Sequence, residues 1–364
     1  MENSYSSNNN ILCYSFNQNA SCFCVGTEKG FTIYKSFPLN DYYTRDLGGG
    51  IGLISMFNNT NLIALVGGGK RPYSPLNKLT IWNDATSKIL CEIIVDDKIR
   101  NVKIKDSVIA IICKKVIKLY YYKSLENILN YKIFDTIETL NNPSGLFGLN
   151  LDPKITIVAY LTKNIGEIKI KDYGKIKNVD EINSTTKKIS AHQSEITNMS
   201  LNYNGDLLAS CSEKGTIIRL FSTKEGTLLK EFRRGTDFAE IYSLNFDLNS
   251  QFLICSSSKG TIHIFNVKEN KGVKNPKSFL SSLGSYLNIQ NDYLKNEWSF
   301  SQYHIDFKGK NIANFVNNNN NFVVLTDNGT YFRSSFDISS GGECETLQKR
   351  NYFYLETDDN DFYY

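Results

Sequence analysis

The chain alternates short apolar runs with polar turns at near-regular intervals. Four segments align: CFCVGTEKGFTIYKS from Cys22, LLASCSEKGTIIRLFST from Leu207, FLICSSSKGTIHIFNV from Phe252 and NFVVLTDNGTYFRSSF from Asn321. Each reads as an apolar run, a polar turn ending in Gly, then alternating residues, which is a β-hairpin pattern. The turn glycines are Gly30, Gly215, Gly260 and Gly329, and glycine suits them because hairpin turns call for positive φ. Three weaker copies start at Asn61, Ser107 and Ile155. Short strands precede the copies, for example at 11–16, 99–104, 196–201 and 241–246, and another follows several of them, as at 228–232. The result is seven units of about four strands. They average about 52 residues, against the 40–45 typical of simple propeller blades, and insertions in the second and sixth units account for the excess. No long segment of 3.6-residue period interrupts them. The pattern predicts an all-β fold: a single-domain, seven-bladed β-propeller of four-stranded blades over residues 11–355, because radial closure protects sheet edges. Residues 1–10 and 356–364 read as flexible termini.

Composition narrows the function classes. Of 364 residues, 41% are hydrophobic, enough for a core, and 13% are aromatic, which favours strands. The net charge of +4 is too small to argue for nucleic-acid binding. Basic charge is local instead, with five Lys and one Glu in residues 259–277. The eight cysteines form no CxxC and sit mostly in strand-like runs, as buried thiols of a reducing compartment do. The three histidines stand at no zinc spacing with cysteine, so neither a metal nor another cofactor is expected. The first ten residues, MENSYSSNNN, hold no apolar leader segment. Apolar runs such as Val108–Cys113 fall far short of the roughly 20 residues that span a bilayer. Work on membranes would then be peripheral, from the cytosolic side.

Enzyme signatures fail. Gly67–Gly68–Gly69–Lys70 lacks the GxxxxGK[ST] spacing, and Arg71–Pro72 follows where a helix would begin. Neither GxSxG nor HExxH occurs, and no catalytic residue is expected.

The informative stretch is 191–265, centred on Phe232–Arg233–Arg234–Gly235. Consecutive residues on a strand point to opposite sides, so Arg233 and Arg234 would serve two neighbouring pockets. Around the first stand His192, Ser210, Ser212, Thr216 and Arg219; around the second, Ser257, Thr261 and His263. Arg, His and hydroxyl groups are donors suited to phosphate oxygens. The same residues also have structural uses: Ser and Thr near turns satisfy backbone groups, and a strand Arg can pair with Glu213 or Glu231.

The FRRG motif, with its flanking AH, ASCSEKGTIIRLF and SSSKGTIHIF segments, closely resembles the PROPPINs, the WIPI-type phosphoinositide-binding WD-repeat propellers of autophagy. LVGGGKRPYSPLNKLTIWND (65–84) resembles the family's second blade and EWSFSQYHI (297–305) its sixth. The resemblance implies binding of phosphatidylinositol 3-phosphate and phosphatidylinositol 3,5-bisphosphate at two sites. The first would use Arg233 with His192, Ser210, Ser212, Thr216 and Arg219. The second would use Arg234 with Thr236, Ser257, Thr261 and His263. It further implies a cytoplasmic scaffold recruited to autophagosomal, endosomal or vacuolar membranes, with autophagy-machinery partners. The competing expectation is a WD-type protein-interaction scaffold without lipid binding.

One insertion has a pattern of its own. From Gly215 to Gly260 is 45 residues, but from Gly260 to Gly329 is 69. Within the excess, Phe279, Leu280, Leu283, Tyr286 and Leu287 recur on one helical face, preceded by Lys271, Lys274 and Lys277. Residues 268–297 are expected to form a membrane-inserting loop of blade 6, as the resemblance also implies. Replacing Phe279, Leu280 and Leu283 by Ser should sharply weaken vesicle binding and leave soluble-headgroup binding intact. Unchanged vesicle binding would exclude an anchoring role.

Overall fold

The computed structural model describes residues 10–176, 179–268, 274–276, 297–316 and 320–354. They form seven antiparallel sheets arranged as the blades of a propeller. Blade 1 takes residues 11–46, blade 2 51–94, blade 3 101–138, blade 4 148–190, blade 5 196–233, blade 6 241–304 and blade 7 311–351. Two short 3-10 segments, Leu125–Asn130 and Val179–Glu181, are the helical segments among the described residues.

Position along the blade radius sets the burial of each strand. Second strands lie between two neighbouring blades and are apolar on both faces: all five residues of Val108–Ile112 are buried. Outermost strands face water and read as polar, as in Thr185–Ser190, where Ile189 alone is buried. Innermost strands border an axial channel of about 1250 Å3.

The core is divided accordingly. Seven apolar clusters occupy the seven gaps between consecutive blades. The gap between blades 7 and 1 closes the ring without strand exchange, since all four strands of blade 1 come from the start of the chain and all four of blade 7 from its end. Closure is therefore a packing contact: Phe23 stacks on Tyr34 at 4.8 Å and meets Tyr352 edge-on at 5.5 Å, while Val323, Leu325 and Tyr331 fill the facing side. The Tyr331 hydroxyl donates to the Ser36 carbonyl at 2.6 Å. Between blades 1 and 2, Arg45 grips buried Asp84 through Nε at 2.8 Å and Nη2 at 2.9 Å.

Two details depart from the expected four-stranded repeat. Glu297–Trp298, read in sequence with blade 6, instead joins blade 5 as a fifth strand, parallel to Leu228–Arg233. Gly342–Glu343 extends blade 6 in the same way, parallel to Ser301–His304. The first strand of blade 3 runs Asn101–Lys105 rather than from 99, and that of blade 4 is only Gly148–Leu149. All eight cysteines are free thiols, four of them buried. Phe279, Leu280, Leu283, Tyr286 and Leu287 lie outside the described residues, as do 1–9 and 355–364.

Because closure rests on packing, Phe23→Ala should cost about 3–5 kcal/mol through the cavity it leaves. Denaturant unfolding checks this, and a loss below about 1 kcal/mol would show that the ring does not depend on this contact.

Candidate functional site: a pair of basic pockets flanking one strand

The pleat of blade 5 decides where each side chain goes. On Leu207–Ser212, Ala209 and Cys211 pack in the gap toward blade 6, and Leu208 packs toward blade 4. Ser210 and Ser212 share the side of Leu208 by alternation. On Ile217–Ser222, Ile218 and Leu220 face blade 6, so Arg219 lies with Phe221 on the blade-4 side. On Leu228–Arg233, Phe232 faces blade 6 and stacks on Phe265 at 5.0 Å. Glu231 and Arg233 must then face blade 4, and Arg234 returns to the blade-6 side.

The first pocket lies between blades 4 and 5. His192 leaves blade 4 after Thr185–Ser190, and its Nε2 hydrogen-bonds the Ser210 hydroxyl at 2.9 Å. Ser210 pairs with Arg219 across the ladder. The Arg219 guanidinium is held at 2.7 Å by both Glu231 and the Ala191 carbonyl. Arg233 is buried on the same face. Of the two carboxylates available to a strand Arg, Glu231 is the one taken by Arg219. Thr216 stands in the turn before the strand, and its carbonyl accepts the Arg234 amide at 2.9 Å. Ile217, not Thr216, pairs with Arg233.

The second pocket lies between blades 5 and 6. Cys255 pairs with His263, and Cys255 and Phe265 pack toward blade 5, which places His263, Thr261 and Ser257 on that side by alternation. Arg234 is pinned here: Nε donates to the Gly215 carbonyl at 2.9 Å and Nη2 to the Asp237 carbonyl. Two of the five guanidinium donors are thereby used to fix its direction. Gly215 is required at its position: its φ is +61°, and a Cβ would stand 1.8 Å from the Ala239 carbonyl oxygen. Thr236 is exposed, with its hydroxyl donating to Asp237 at 3.2 Å.

Sequence reasoning missed part of this pocket. His263 Nδ1 meets Ser299 at 3.2 Å, and Gln302 donates to the same hydroxyl at 2.9 Å. Thr261 meets His304 Nδ1 at 3.0 Å, and His304 Nε2 lies 3.8 Å from Glu343. Ser299, Gln302 and His304 arrive from beyond the insertion, too far along the chain for repeat alignment to place them. One signal was available: the chain has three histidines, His192, His263 and His304, and every one of them lines one of the two pockets, His192 the first and His263 with His304 the second. The base of the insertion is anchored beside them. Buried Asn275 bonds both backbone groups of Asn266 at 2.7 Å and Glu297 at 2.6 Å, and Glu297 reaches Lys230 at 3.3 Å.

Burial and positive charge tune both pockets alike. Burial, then Arg219, pushes His192 down to about 4. Burial, then Arg234 and His304, pushes His263 down to about 3. Both imidazoles are neutral at pH 7, and an anion placed beside them would favour their charged forms. Among the described residues, no group of His, Cys, Asp and Glu is placed to hold a metal, and no helix is long and apolar enough to cross a membrane.

The sequence model of the PROPPIN family matches residues 10–353. Autophagy-related protein 18e of Arabidopsis thaliana is 32% identical over 354 residues, covering 96% of this chain and 90% of that protein. Autophagy-related protein 18 of Dictyostelium discoideum is 32% identical over 377 residues, covering 97% and 96%. SVP1-like protein 2 of Pichia angusta is 32% identical over 303 residues, covering 82% and 81%. Among solved structures, Kluyveromyces lactis Hsv2 superposes with a TM-score of 0.75 at 23% identity, covering 94% of this chain and 99% of that one. KlAtg21, in complex with the coiled-coil of AgAtg16, gives 0.72 at 24% identity, with coverage of 94% and 99%. These two carry the fold.

The depressed histidines set a pH dependence. In the unfolded chain each titrates near 6.5, so below that value the unfolded state binds more protons. Stability should fall as pH drops from about 6.5 toward 4, by about 2 kcal/mol per imidazole at pH 5. Urea unfolding at pH 7 and pH 5 checks this, with His192→Gln/His263→Gln expected to lose less on acidification. An equal loss in the variant would contradict the assignment.

Proposed function

The chain belongs to the PROPPIN family, and we propose that it is a peripheral membrane protein that binds phosphatidylinositol 3-phosphate and phosphatidylinositol 3,5-bisphosphate. The observation that carries this reading is the duplicated donor set. Arg233 with His192, Ser210, Ser212 and Arg219 faces one gap; Arg234 with His263, Thr261 and Ser257 faces the next, and Thr236 stays a candidate for the second set from the exposed loop just after Arg234. Each set joins a guanidinium, a neutral imidazole (His192 half-buried, His263 buried) and hydroxyls, a mixture suited to the oxygens of a phosphorylated inositol ring. Its placement on the outer part of two adjacent blades would let both pockets meet one flat bilayer.

In this role the chain acts without catalysis, as a scaffold recruited from the cytosol to autophagosomal, endosomal or vacuolar membranes. The relatives named as autophagy-related proteins support that setting. The KlAtg21 complex with a coiled-coil of AgAtg16 supports a helical partner from the autophagy machinery. Thr216 stays a candidate for the first pocket through its place beside Arg233 and Arg234. The insertion at 268–297 stays the candidate membrane anchor, consistent with its base being fixed next to the second pocket.

Charge-assisted hydrogen bonds contribute roughly 1.5–3 kcal/mol each. Arg233→Ala/Arg234→Ala should therefore abolish binding to vesicles carrying phosphatidylinositol 3-phosphate, with the thermal transition retained. Each single variant should keep partial binding, because two pockets on one rigid body act together. Wild-type binding by the folded double variant would contradict the lipid reading and favour a protein-only scaffold.

A further inference from the structure

The loop that follows the arginine pair carries an unexplained aromatic. Phe238 is 65% exposed, yet its neighbours in sequence are fixed. Before it, the Asp237 carbonyl is held by the Arg234 guanidinium. After it, Ala239 is fully buried, and its amide donates to the Lys214 carbonyl at 3.2 Å. The Glu240 amide then donates to the Ser258 hydroxyl at 3.2 Å, and the Ser258 amide returns a bond to the Glu240 carbonyl at 2.9 Å. The backbone is thus stitched to the hairpin turns of both blades 5 and 6, each of which carries an exposed lysine, Lys214 and Lys259, and Phe238 faces solvent from the loop that these turns hold. A rigidly held, solvent-facing ring gains nothing in water. An aromatic flanked by lysines is the arrangement that favours a bilayer interface.

We propose that Phe238 is a membrane-interface anchor, separate from the blade-6 insertion, that enters the headgroup region of a bilayer when the two pockets engage lipid. This rests on the phosphoinositide reading. The surrounding charge shapes how it works: Glu213, Asp237 and Glu240 are also exposed and offset Lys214 and Lys259. Diffuse attraction to an anionic surface is therefore weak here, and the ring depends on Arg233 and Arg234 to bring it to the bilayer. Because Arg234 holds the Asp237 carbonyl, the group that meets the phosphate and the loop that carries the interfacial ring are joined by one hydrogen bond.

The test compares wild type, Phe238→Ser and Phe238→Trp as full chains, each with its thermal transition recorded. The probes are soluble inositol 1,3-bisphosphate and phosphatidylcholine vesicles with or without phosphatidylinositol 3-phosphate. The expected result is unchanged headgroup affinity for Phe238→Ser and vesicle affinity lowered about tenfold or more. For Phe238→Trp, brominated phosphatidylcholine should quench fluorescence beyond the baseline of Trp82 and Trp298, and only when the phosphoinositide is present. Wild-type vesicle affinity in Phe238→Ser, or no added quenching in Phe238→Trp, with headgroup binding intact, overturns the anchor and leaves the lipid reading standing. Quenching without phosphoinositide overturns the dependence on the arginines. Absence of headgroup and vesicle binding in the wild type overturns the lipid reading and the anchor with it.

Discussion

Two consecutive side chains on a β-strand cannot share a face, and the candidate site depends on that constraint. At the end of Leu228–Arg233 the pleat sends Phe232 and Arg234 toward blade 6 and Glu231 and Arg233 toward blade 4. A dipeptide that would be self-repelling in one pocket becomes the shared wall of two. The same alternation in the second and third strands of blades 5 and 6 brings Ser210 and Arg219 to one gap and His263 and Thr261 to the other. A register slip of one residue would exchange the two sets and bury Arg233 against the apolar cluster.

That register is fixed from the core outward. Phe232 stacks on Phe265, and Phe265 lies parallel to His263 at 6.3 Å, so an aromatic ladder runs from the apolar gap into the second pocket. Backbone carbonyls do what water would otherwise do: Gly215 and Asp237 hold Arg234, and Ala191 holds Arg219. Buried Arg234 and half-buried Arg219, held this way, cost less than unpaired cations and leave donors in place for an anion. The ring supplies rigidity, because each blade is packed on both sides and the closing contact between blades 7 and 1 is made of large aromatics.

The fold was legible where the turn carries glycine. Gly30, Gly215, Gly260 and Gly329 mark hairpins whose copies align at once. Blade 3 was faint because its turns use other residues: Cys113, Lys114 and Lys115 make one, and Ser107 adopts φ of 67° in another. The site was legible as far as the repeat reached. Ser210, Arg219, Arg234 and His263 fall where alternation puts them, and His192 reaches Ser210 from the segment after Thr185–Ser190, whereas Thr216 moved into a turn because blade 5 has one more residue between Gly215 and Arg219 than blade 6 has between Gly260 and His263. Ser299 and His304 were invisible because a long insertion separates them from the strand they pair with. Glu297–Trp298 was assigned to the wrong sheet for a related reason: a two-residue parallel edge has no period to detect.

The central claim is that one strand serves two independent anion pockets, and binding stoichiometry tests it most directly. Titration calorimetry of the full chain with soluble inositol 1,3-bisphosphate should give two sites per chain for the wild type. Arg233→Ala and Arg234→Ala should each leave one site of nearly native affinity. A single site in the wild type, lost equally in either variant, would mean that the arginines share one pocket and would contradict the account.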